Sequence, residues 1–211
     1  MKRSILAHRG HWKEDAEKNT RAALALAPQQ GYGIETDVRD SEGRLIVSHD
    51  MPVGGEMALL EVVEHCNAAQ VPIAINIKAD GLATLIKEML DRHPDLDAFC
   101  FDMSVPELLQ YQKRSVPCFT RVSELERTPA LYDDARGVWL DAFFSDWYSA
   151  DLVERFLGDG KQVAIVSPEL HRRDHQALWE TLRDASLGGR DDVFLCTDYP
   201  DAALEFFREA S

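Results

Sequence analysis

The feature that most constrains the fold of this chain is a regular alternation of short apolar runs with segments of helical periodicity. Nine apolar runs have the length and composition of strands, and they span residues 5–9, 33–38, 45–49, 72–78, 98–102, 117–122, 137–142, 162–167 and 193–197. Seven segments with apolar residues at helical spacing lie between most of these runs, at residues 20–30, 59–69, 82–92, 105–113, 150–157, 175–183 and 202–209. Such alternation predicts parallel β–α–β units.

The candidate strands at 33–38 and 45–49 are separated by little more than a turn at residues 40–44. We interpret the second of them as a hairpin-like excursion at the end of the first, and not as an additional strand of the main sheet. Eight strands then remain. Eight β–α units fit the 211 residues of the chain as a single (β/α)₈ barrel, with residues 1–211 forming one domain.

An open, doubly wound sheet is the competing architecture, and its usual sign is a glycine-rich phosphate turn after the first strand. Here the first strand ends instead in His8-Arg9-Gly10. Polar residues also lie at or just beyond the ends of the other strands, namely Asp37, Lys78, Asp102, Arg121, Asp141, Glu169 and Asp198. In a barrel these ends meet on one face, where active sites lie. The pattern therefore favours the barrel, although Asp198 and Asn19 also suit helix caps.

Composition limits the partners that this chain can have. Hydrophobic residues make up 45% and charged residues 28%, which is typical of a globular protein with a sizeable core. The net charge of −14 disfavours binding to nucleic acid or anionic lipid, so a phosphate-bearing substrate needs a local positive site. No apolar run approaches the ~20 residues that span a bilayer. The N-terminal segment lacks the apolar core of a signal peptide, and we expect a cytoplasmic protein with reduced, buried cysteines.

Two carboxylates form the strongest candidate metal site. Glu35 and Asp37 are two residues apart on a strand, so their side chains lie on the same side. Ile34 and Val38 occupy the other side and suit packing against helices, which disfavours an edge strand with two solvated acids. Two confined carboxylates repel each other and favour a cation, and hard oxygen ligands suit Mg²⁺ or Ca²⁺.

Two histidines near strand ends could complete a catalytic site. His8 and His49 each follow an apolar run, and histidine can donate and accept protons near neutral pH. Phosphodiester cleavage needs a base, an acid and a cation, which this set supplies. Asn76 and Lys78 share one face of a further strand. There Lys78 could stabilise charge on a phosphate or simply reach solvent, and Asn76 could offer an amide oxygen to a metal.

As an ordered set, His8-Arg9-Gly10, Asn19-Thr20, Glu35-Thr36-Asp37 and His49-Asp50 resemble the glycerophosphodiester phosphodiesterases. Thr197-Asp198-Tyr199-Pro200 is similar to the last barrel strand of that family. The resemblance is close over the first fifty residues and rests elsewhere on strand order.

The resemblance implies a barrel of the phospholipase C-like phosphodiesterase type that acts in lipid metabolism on a small glycerophosphodiester-like substrate. By this likeness His8 and His49 are the acid–base pair, Glu35 and Asp37 bind a divalent cation (Mg²⁺ or Ca²⁺), and Arg9 contacts the phosphate. In the family, one histidine helps a neighbouring substrate hydroxyl to attack the phosphorus, which gives a cyclic phosphate that water then opens.

The chain departs from the family at three places. Asn76 stands where the family carries a glutamate that binds the metal, so Asn76 becomes the candidate third ligand. Only residues 51–58 separate Asp50 from the next predicted helix, so the usual inserted subdomain is absent. The segment at residues 165–171 is also unusual, and it makes Glu169 and His171 candidates for substrate contact.

Three alternatives to a phosphodiesterase stay open at this point. The first is a degenerate, non-catalytic binder of phosphorylated metabolites, which Asn76 suggests. The second is a phospholipase D-like enzyme that acts on lipid head groups. The third is a barrel enzyme of another type, in which Lys78 forms a Schiff base. The oligomeric state is not indicated by the sequence.

Overall fold

The computed structural model describes residues 1–208, and these form a parallel β-barrel surrounded by helices. Its strands are β1 Ile5–His8, β2 Gly33–Ser41, β3 Arg44–Val47, β4 Ile73–Ile77, β5 Ala98–Phe101, β6 Phe119–Val122, β7 Gly137–Leu140, β8 Gln162–Val166 and β9 Val193–Thr197. Its α-helices are α1 Arg21–Gln29, α2 Leu59–Ala69, α3 Ala83–Leu90, α4 Val105–Lys113, α5 Ala150–Gly158, α6 Gln176–Asp184 and α7 Pro200–Arg208.

The strand order around the barrel is β5-β4-β2-β1-β9-β8-β7-β6, and every neighbouring pair along it is parallel. The two end strands meet through a parallel bridge between Cys100 and Cys118, where the amide of Cys100 donates to the carbonyl of Pro117 at 2.9 Å. The sheet thus closes on itself, which confirms the predicted (β/α)₈ architecture. In a closed barrel, the carboxyl ends of all eight strands face one side.

The predicted excursion is confirmed. β3 runs antiparallel to β2, with Val38 opposite Val47 and Ser41 opposite Arg44, and it forms no part of the barrel wall. All seven predicted helices are also present, although residue 209, with which the last of them was predicted to end, lies outside the described residues.

Within residues 1–208, one of the eight β–α connections lacks a helix, in agreement with the seven helical segments that the sequence predicts. Residues 123–136, which connect β6 to β7, contain no helix in the described chain. Pro129 lies near the middle of this connection, where it would remove a helical hydrogen bond and disfavour helical backbone at Thr128. The short stretches on either side are too short to form a stable helix.

Side-chain alternation divides the strands into an outer and an inner layer. The outward residues, such as Ala7, Ile34 and Ile75, pack against the helices in the larger core. The inward residues at the lower level of the barrel are largely aromatic. Phe99 stacks on Phe119 with ring centroids 3.8 Å apart. This plug closes the barrel interior from below, so that the next inward residues form the floor of an open mouth.

The cysteines and the helices of the described residues also bear on the sequence predictions. All four cysteines are buried. Among residues 1–208, no helix combines the length and the apolar character needed to cross a bilayer.

Candidate active site

A cavity of about 1010 Å³ opens at the carboxyl ends of the barrel strands. It brings together eight of the nine residues that the sequence predicts for the site, namely His8, Arg9, Glu35, His49, Asn76, Lys78, Glu169 and His171. The ninth, Asp37, is fully buried just behind the cavity wall. Residues from β1, β2, β4 and the turn after β8 thus converge as a barrel requires.

His8 ends β1 on the inward side, in the same alternation as Leu6. Its Nδ1 lies 2.6 Å from Asp198 Oδ1, and its Nε2 lies 3.9 Å from Glu35 Oε2. Lys18 Nζ lies 3.3 Å from the other oxygen of Asp198. Burial alone would raise the pKa of Asp198, but the hydrogen bond to His8 and the charges of His8 and Lys18 outweigh it and lower the pKa. The carboxylate therefore stays charged and fixes the orientation of the imidazole.

Sequence reasoning placed Asp198 at a strand end but did not pair it with His8. The two residues are 190 positions apart and meet because β1 and β9 are neighbours in the barrel. The available signal was closure itself, since the first and last strands of a closed barrel must lie side by side.

The turn after β1 directs Arg9 into the site. Gly10 has a φ of +94°, and a Cβ there would lie 2.6 Å from the carbonyl carbon of Ala23, so only glycine fits this turn. Arg9 itself has a φ of +57°, and its amide donates to the carbonyl of Glu35 at 2.8 Å. As a result, Arg9 Nε reaches to 2.7 Å from Asp37 Oδ2.

Glu35 lies inside the barrel with 2% of its surface exposed. Burial raises the pKa of this carboxyl, and the negative charge of Asp37 raises it further, whereas the charges of His8 and Arg9 act in the opposite direction. Asn76 Nδ2 donates to Glu35 Oε1 at 3.1 Å. The charged form of Glu35 is therefore costly without a cation.

Asp37 is in a different environment although it lies on the same strand face. Besides Arg9, its carboxylate has Lys78 Nζ at 3.5 Å from Oδ1, and it accepts from Asn19 Nδ2 at 3.0 Å. Asn19 does not cap α1, because the side chain of the next residue, Thr20, accepts from Ala23 and serves as the cap. The sequence predicted that Asp37 points inward, but it did not indicate these basic partners.

The fit of this site to a hard cation can be judged from its unpartnered oxygen atoms. Within the described residues, three buried oxygens here have no hydrogen-bond donor, namely Glu35 Oε2, Asp37 Oδ1 and Asn76 Oδ1. Asp37 and Asn76 are partners in the β2–β4 register, so two of the three come from directly paired residues. Buried, unsatisfied oxygens are costly, and carboxylate and amide oxygens are the ligands that Mg²⁺ and Ca²⁺ prefer.

A cation bound at this site would have a neutral ligand in addition to its charged ligands. Among residues 1–208, no group of three or more His, Cys, Asp and Glu side chains is arranged to hold a metal ion. The donor set that fits is thus two carboxylates and one neutral amide.

His49 follows β3, so the antiparallel excursion carries it to the rim of the cavity. Its side chain is 47% exposed, and Nδ1 lies 2.9 Å from Asp50 Oδ1. The amide of Ser48 donates to the carbonyl of Asp37 at 3.1 Å, which ties the excursion to the strand that carries both acids. The two histidines therefore differ, with His8 held inside the barrel and His49 close to solvent.

Basic side chains also line the cavity, although acidic side chains line it as well. Lys78 Nζ lies 3.9 Å from Asp102 Oδ2 as well as near Asp37, and Arg121 Nη1 lies 2.7 Å from Asp102 Oδ1. Sequence reasoning named Arg121 only as a strand-end residue. These cations offset the negative charge of the protein where an anionic substrate would enter.

Glu169 and His171, on the wall formed by β7 and β8, have different surroundings. Glu169 Oε1 accepts from Thr197 Oγ1 at 2.5 Å and from the amide of Asp198 at 3.1 Å, and Ser167 bonds its other oxygen. These contacts position the end of β9, and with it Asp198. His171 Nε2 lies 2.7 Å from Asp141 Oδ1, which forms a second histidine–aspartate pair.

Fold and site together define a (β/α)₈ barrel with a polar cavity at the carboxyl ends of its strands. The chain has the fold of glycerophosphodiester phosphodiesterases of known structure. It is similar to an Oleispira antarctica phosphodiesterase in complex with the product sn-glycerol-3-phosphate, with a TM-score of 0.72, 19% identity, and coverage of 97% of this chain and 96% of that one. For the glycerophosphodiester phosphodiesterase from Agrobacterium tumefaciens, the TM-score is 0.67, the identity 19%, and the coverage 98% and 99%.

No protein-family model matches the sequence, and no curated protein matches it either. At this level of identity the likeness establishes the fold. The activity must be argued from the side chains.

Proposed function

We propose that this protein is a metal-dependent phosphodiesterase that cleaves a small, glycerophosphodiester-like substrate, with His8 and His49 as its acid–base pair. The observation that carries the proposal is the position of His8, which Asp198 holds at 2.6 Å inside a cavity that His49 also lines. The activity stated for the two structurally similar proteins supports the same class of substrate.

The histidines provide the proton transfers of the reaction. Because Nδ1 of His8 is bonded to Asp198, its Nε2 is the nitrogen left to exchange a proton with the substrate. One histidine takes the proton of a neighbouring substrate hydroxyl, whose oxygen attacks the phosphorus. The other gives a proton to the departing alcohol oxygen. Water then opens the resulting cyclic phosphate by the same two transfers in reverse.

The basic side chains bind the phosphoryl group. Arg9 and Lys78 both approach the cavity while they are held against Asp37, so their positions are set before substrate arrives. A positively charged side chain that is already in position stabilises developing negative charge without having to reorganise.

Glu35, Asp37 and Asn76 would hold the divalent cation, Mg²⁺ or Ca²⁺, through three oxygens that accept no hydrogen bond within the described residues, one of which, Asp37 Oδ1, also lies 3.5 Å from Lys78 Nζ. When bound, the cation supplies positive charge to the phosphoryl oxygens. It would offset the cost of the buried charge on Glu35, because burial raises the pKa of this carboxyl.

Hydrolysis assays test the proposal. We expect the wild-type protein to release alcohol from sn-glycero-3-phosphocholine or a related diester in the presence of Mg²⁺, Ca²⁺ or Mn²⁺. His8→Ala and His49→Ala should each lower kcat by about 10²-fold or more, the usual contribution of one acid–base group. His65→Ala, on the exposed face of α2, is the matched control. Equal turnover by wild type and both site variants would contradict the assignment.

A non-catalytic binder is the second candidate, because the neutral amide of Asn76 occupies the third ligand position. Calorimetric titration with Mg²⁺ and Ca²⁺ separates the two. Tight cation binding that Asp37→Asn abolishes, together with turnover, supports the enzyme. Phosphate binding without cation binding or turnover supports the degenerate protein.

A further inference from the structure

We propose that the cavity wall formed after β7 and β8 is a subsite for a neutral, hydroxyl-rich group, a sugar or polyol esterified to the phosphate. This inference rests on the proposed phosphodiesterase function and names the alcohol that it accepts. Going around the closed barrel, β7 is four strands from β2 in either direction, so this wall faces the one that carries Glu35 and Asp37. A diester bound at the reaction centre therefore extends toward it.

Asp141 and His171 form the core of the subsite. Asp141 is 6% exposed, and its Oδ1 is bonded both to His171 Nε2 at 2.7 Å and to the amide of Ala142 at 2.8 Å. No donor within residues 1–208 is bonded to Oδ2, and Asp141 lines the cavity. Since a carboxylate can only accept, Oδ2 presents a hydrogen-bond acceptor to whatever enters.

Arg172 supplies the opposite character on the same wall. It directly follows the 3₁₀ turn Pro168–His171, it lines the cavity, and its side chain has no ion pair with any described residue. The neighbouring guanidinium groups are already engaged. Arg121 is paired with Asp102 and Glu126, and Arg173 with Asp146. Arg172 is thus the guanidinium on this wall that has no acidic partner among the described residues, and all of its donors are left for a ligand.

The wall thus offers one negatively charged group that can still accept a hydrogen bond and one positively charged group that can still donate one. Together these two groups select the chemistry of the ligand. A cationic head group such as choline would meet the unpaired charge of Arg172. A second phosphate or carboxylate would meet Asp141. A neutral hydroxyl can donate to the carboxylate and accept from the guanidinium, so a group with several hydroxyls satisfies both. A site built to bond hydroxyls rejects an analogue that lacks them, because its polar groups are left unpaired.

Aromatic side chains on the rest of this wall and on the cavity floor suit the apolar face of a sugar or polyol ring. The Phe143 ring lies 4.9 Å from the His171 ring, and Trp139 stacks on Phe101 at the cavity floor with ring centroids 3.7 Å apart. The cavity, at about 1010 Å³, is at the upper end of the size of ligand pockets, so it leaves room for a bulky alcohol beside the phosphate.

The test compares two diesters that differ only in the alcohol, sn-glycero-3-phospho-myo-inositol and sn-glycero-3-phosphocholine. We expect the wild type to prefer the inositol ester at least tenfold in kcat/KM. Asp141→Asn and Arg172→Ala should each reduce that ratio about tenfold, mainly through KM of the inositol ester. Arg92→Ala, at an exposed position in the turn after α3, and His65→Ala, on the exposed face of α2, are matched controls that should leave the ratio unchanged.

Binding to the His49→Ala protein, measured by calorimetry with the same inositol ester, separates this inference from the proposed function. If the wild type hydrolyses neither ester but binding occurs and needs Asp141 and Arg172, the enzyme assignment fails and the subsite stands. If both esters are cleaved equally and Arg172→Ala has no effect on their ratio, the subsite is overturned while the enzyme assignment stands. If neither hydrolysis nor binding is observed, both the enzyme assignment and the subsite are overturned. Arg172 is exposed, so its variant remains informative even if Asp141→Asn fails to fold.

Discussion

The orientation of His8 depends on a carboxylate that comes almost at the other end of the chain. Asp198 accepts from its Nδ1, and Asp198 is itself held by Lys18 and, through its amide, by Glu169. The imidazole of His8 is therefore positioned by a chain of polar and charged contacts and not by packing alone. Partners of this kind fix the tautomer of a histidine.

Replacing Asp198 tests this positioning. Asp198→Asn preserves the size of the side chain but removes the charge that favours a proton on Nδ1. We expect kcat to fall by roughly 10²-fold with little change in KM, within the range for a misplaced acid–base group. Steady-state kinetics would measure the change, and exposed Asp95→Asn is the control. A loss confined to KM would indicate that Asp198 serves substrate binding instead.

Asn76 offers a test of the cation site. Asn76→Asp adds a third carboxylate next to Glu35 and removes the hydrogen bond from Nδ2 to Glu35 Oε1. Like charges in a buried site destabilise the protein unless a cation is bound. We expect the variant to melt at a lower temperature than wild type in the presence of a chelator, and to bind Mg²⁺ about tenfold more tightly, a gain of about 1.4 kcal/mol.

Thermal melts and calorimetry with and without Mg²⁺ would measure both effects. A variant that is destabilised to the same extent with and without the cation would show that no metal binds at this position.

Single residues also show what the sequence could and could not predict of the site. Strand alternation correctly predicted that Glu35 and Asp37 point toward the interior, because alternation is a local property. It could not show that Arg9 lies against Asp37, since that contact depends on the left-handed turn at Arg9 and Gly10. The environments of two acids on one strand face differ for reasons that lie outside the strand.

At the level of elements, the helix-free connection between β6 and β7 is held by a carboxylate. Glu124 accepts from the consecutive amides of Phe143, Phe144 and Ser145 at 2.9, 2.9 and 3.1 Å. Partial burial would raise the pKa of Glu124, but these amide bonds outweigh it and lower the pKa. The contact fastens the loop after β6 to the loop that carries Phe143 into the cavity.

Glu124→Ala should destabilise the protein by about 1 kcal/mol, the usual net value of such hydrogen bonds. A carboxyl whose pKa is lowered on folding stabilises at pH values above its ordinary pKa, and that contribution is lost as the pH falls through the folded value. The difference from wild type in urea unfolding should therefore be present at pH 7 and shrink in acid. Exposed Glu88→Ala is the control, and a difference that grows in acid would contradict the role of the charge.

Elements with strong periodicity were predicted best. The seven helices each carry an apolar stripe, which is a local signal, and the hairpin was recognised from its short turn. The connection at residues 123–136 was less accessible, because its order comes from Glu124 reaching across to another loop. Contacts between loops leave no periodic trace in the sequence.

At the level of the whole molecule, the barrel is closed from below by aromatic rings. Phe119→Ala removes a ring that is 1% exposed and stacked on Phe99, and we expect a loss of about 3–5 kcal/mol in the free energy of unfolding. Phe144→Ala, at a side chain that is 71% exposed, should change it by less than about 0.5 kcal/mol. Urea unfolding would measure both, and similar effects would contradict a tightly packed interior.

The overall architecture followed from the sequence because alternation of strands and helices leaves few topologies. The seam of the barrel followed only indirectly, because closure places the first and last strands side by side but does not give their register. β1 pairs with β9, and β5 meets β6 through a single bridge, and both junctions join elements whose contact is fixed only when all eight strands are present. The site inherits this dependence, since residues from both sides of the β1–β9 seam form it.

The pairing of His8 with Asp198 also has a consequence in time. Asp198 lies 190 positions after His8, and it must be added before the histidine has its partner. At about 5–20 residues per second, that takes roughly 10–40 seconds on the ribosome. A nascent chain that already contains His8, Glu35 and His49 thus lacks the carboxylate that orients His8 until its last strand has docked, and under the proposed function activity begins only with the finished barrel.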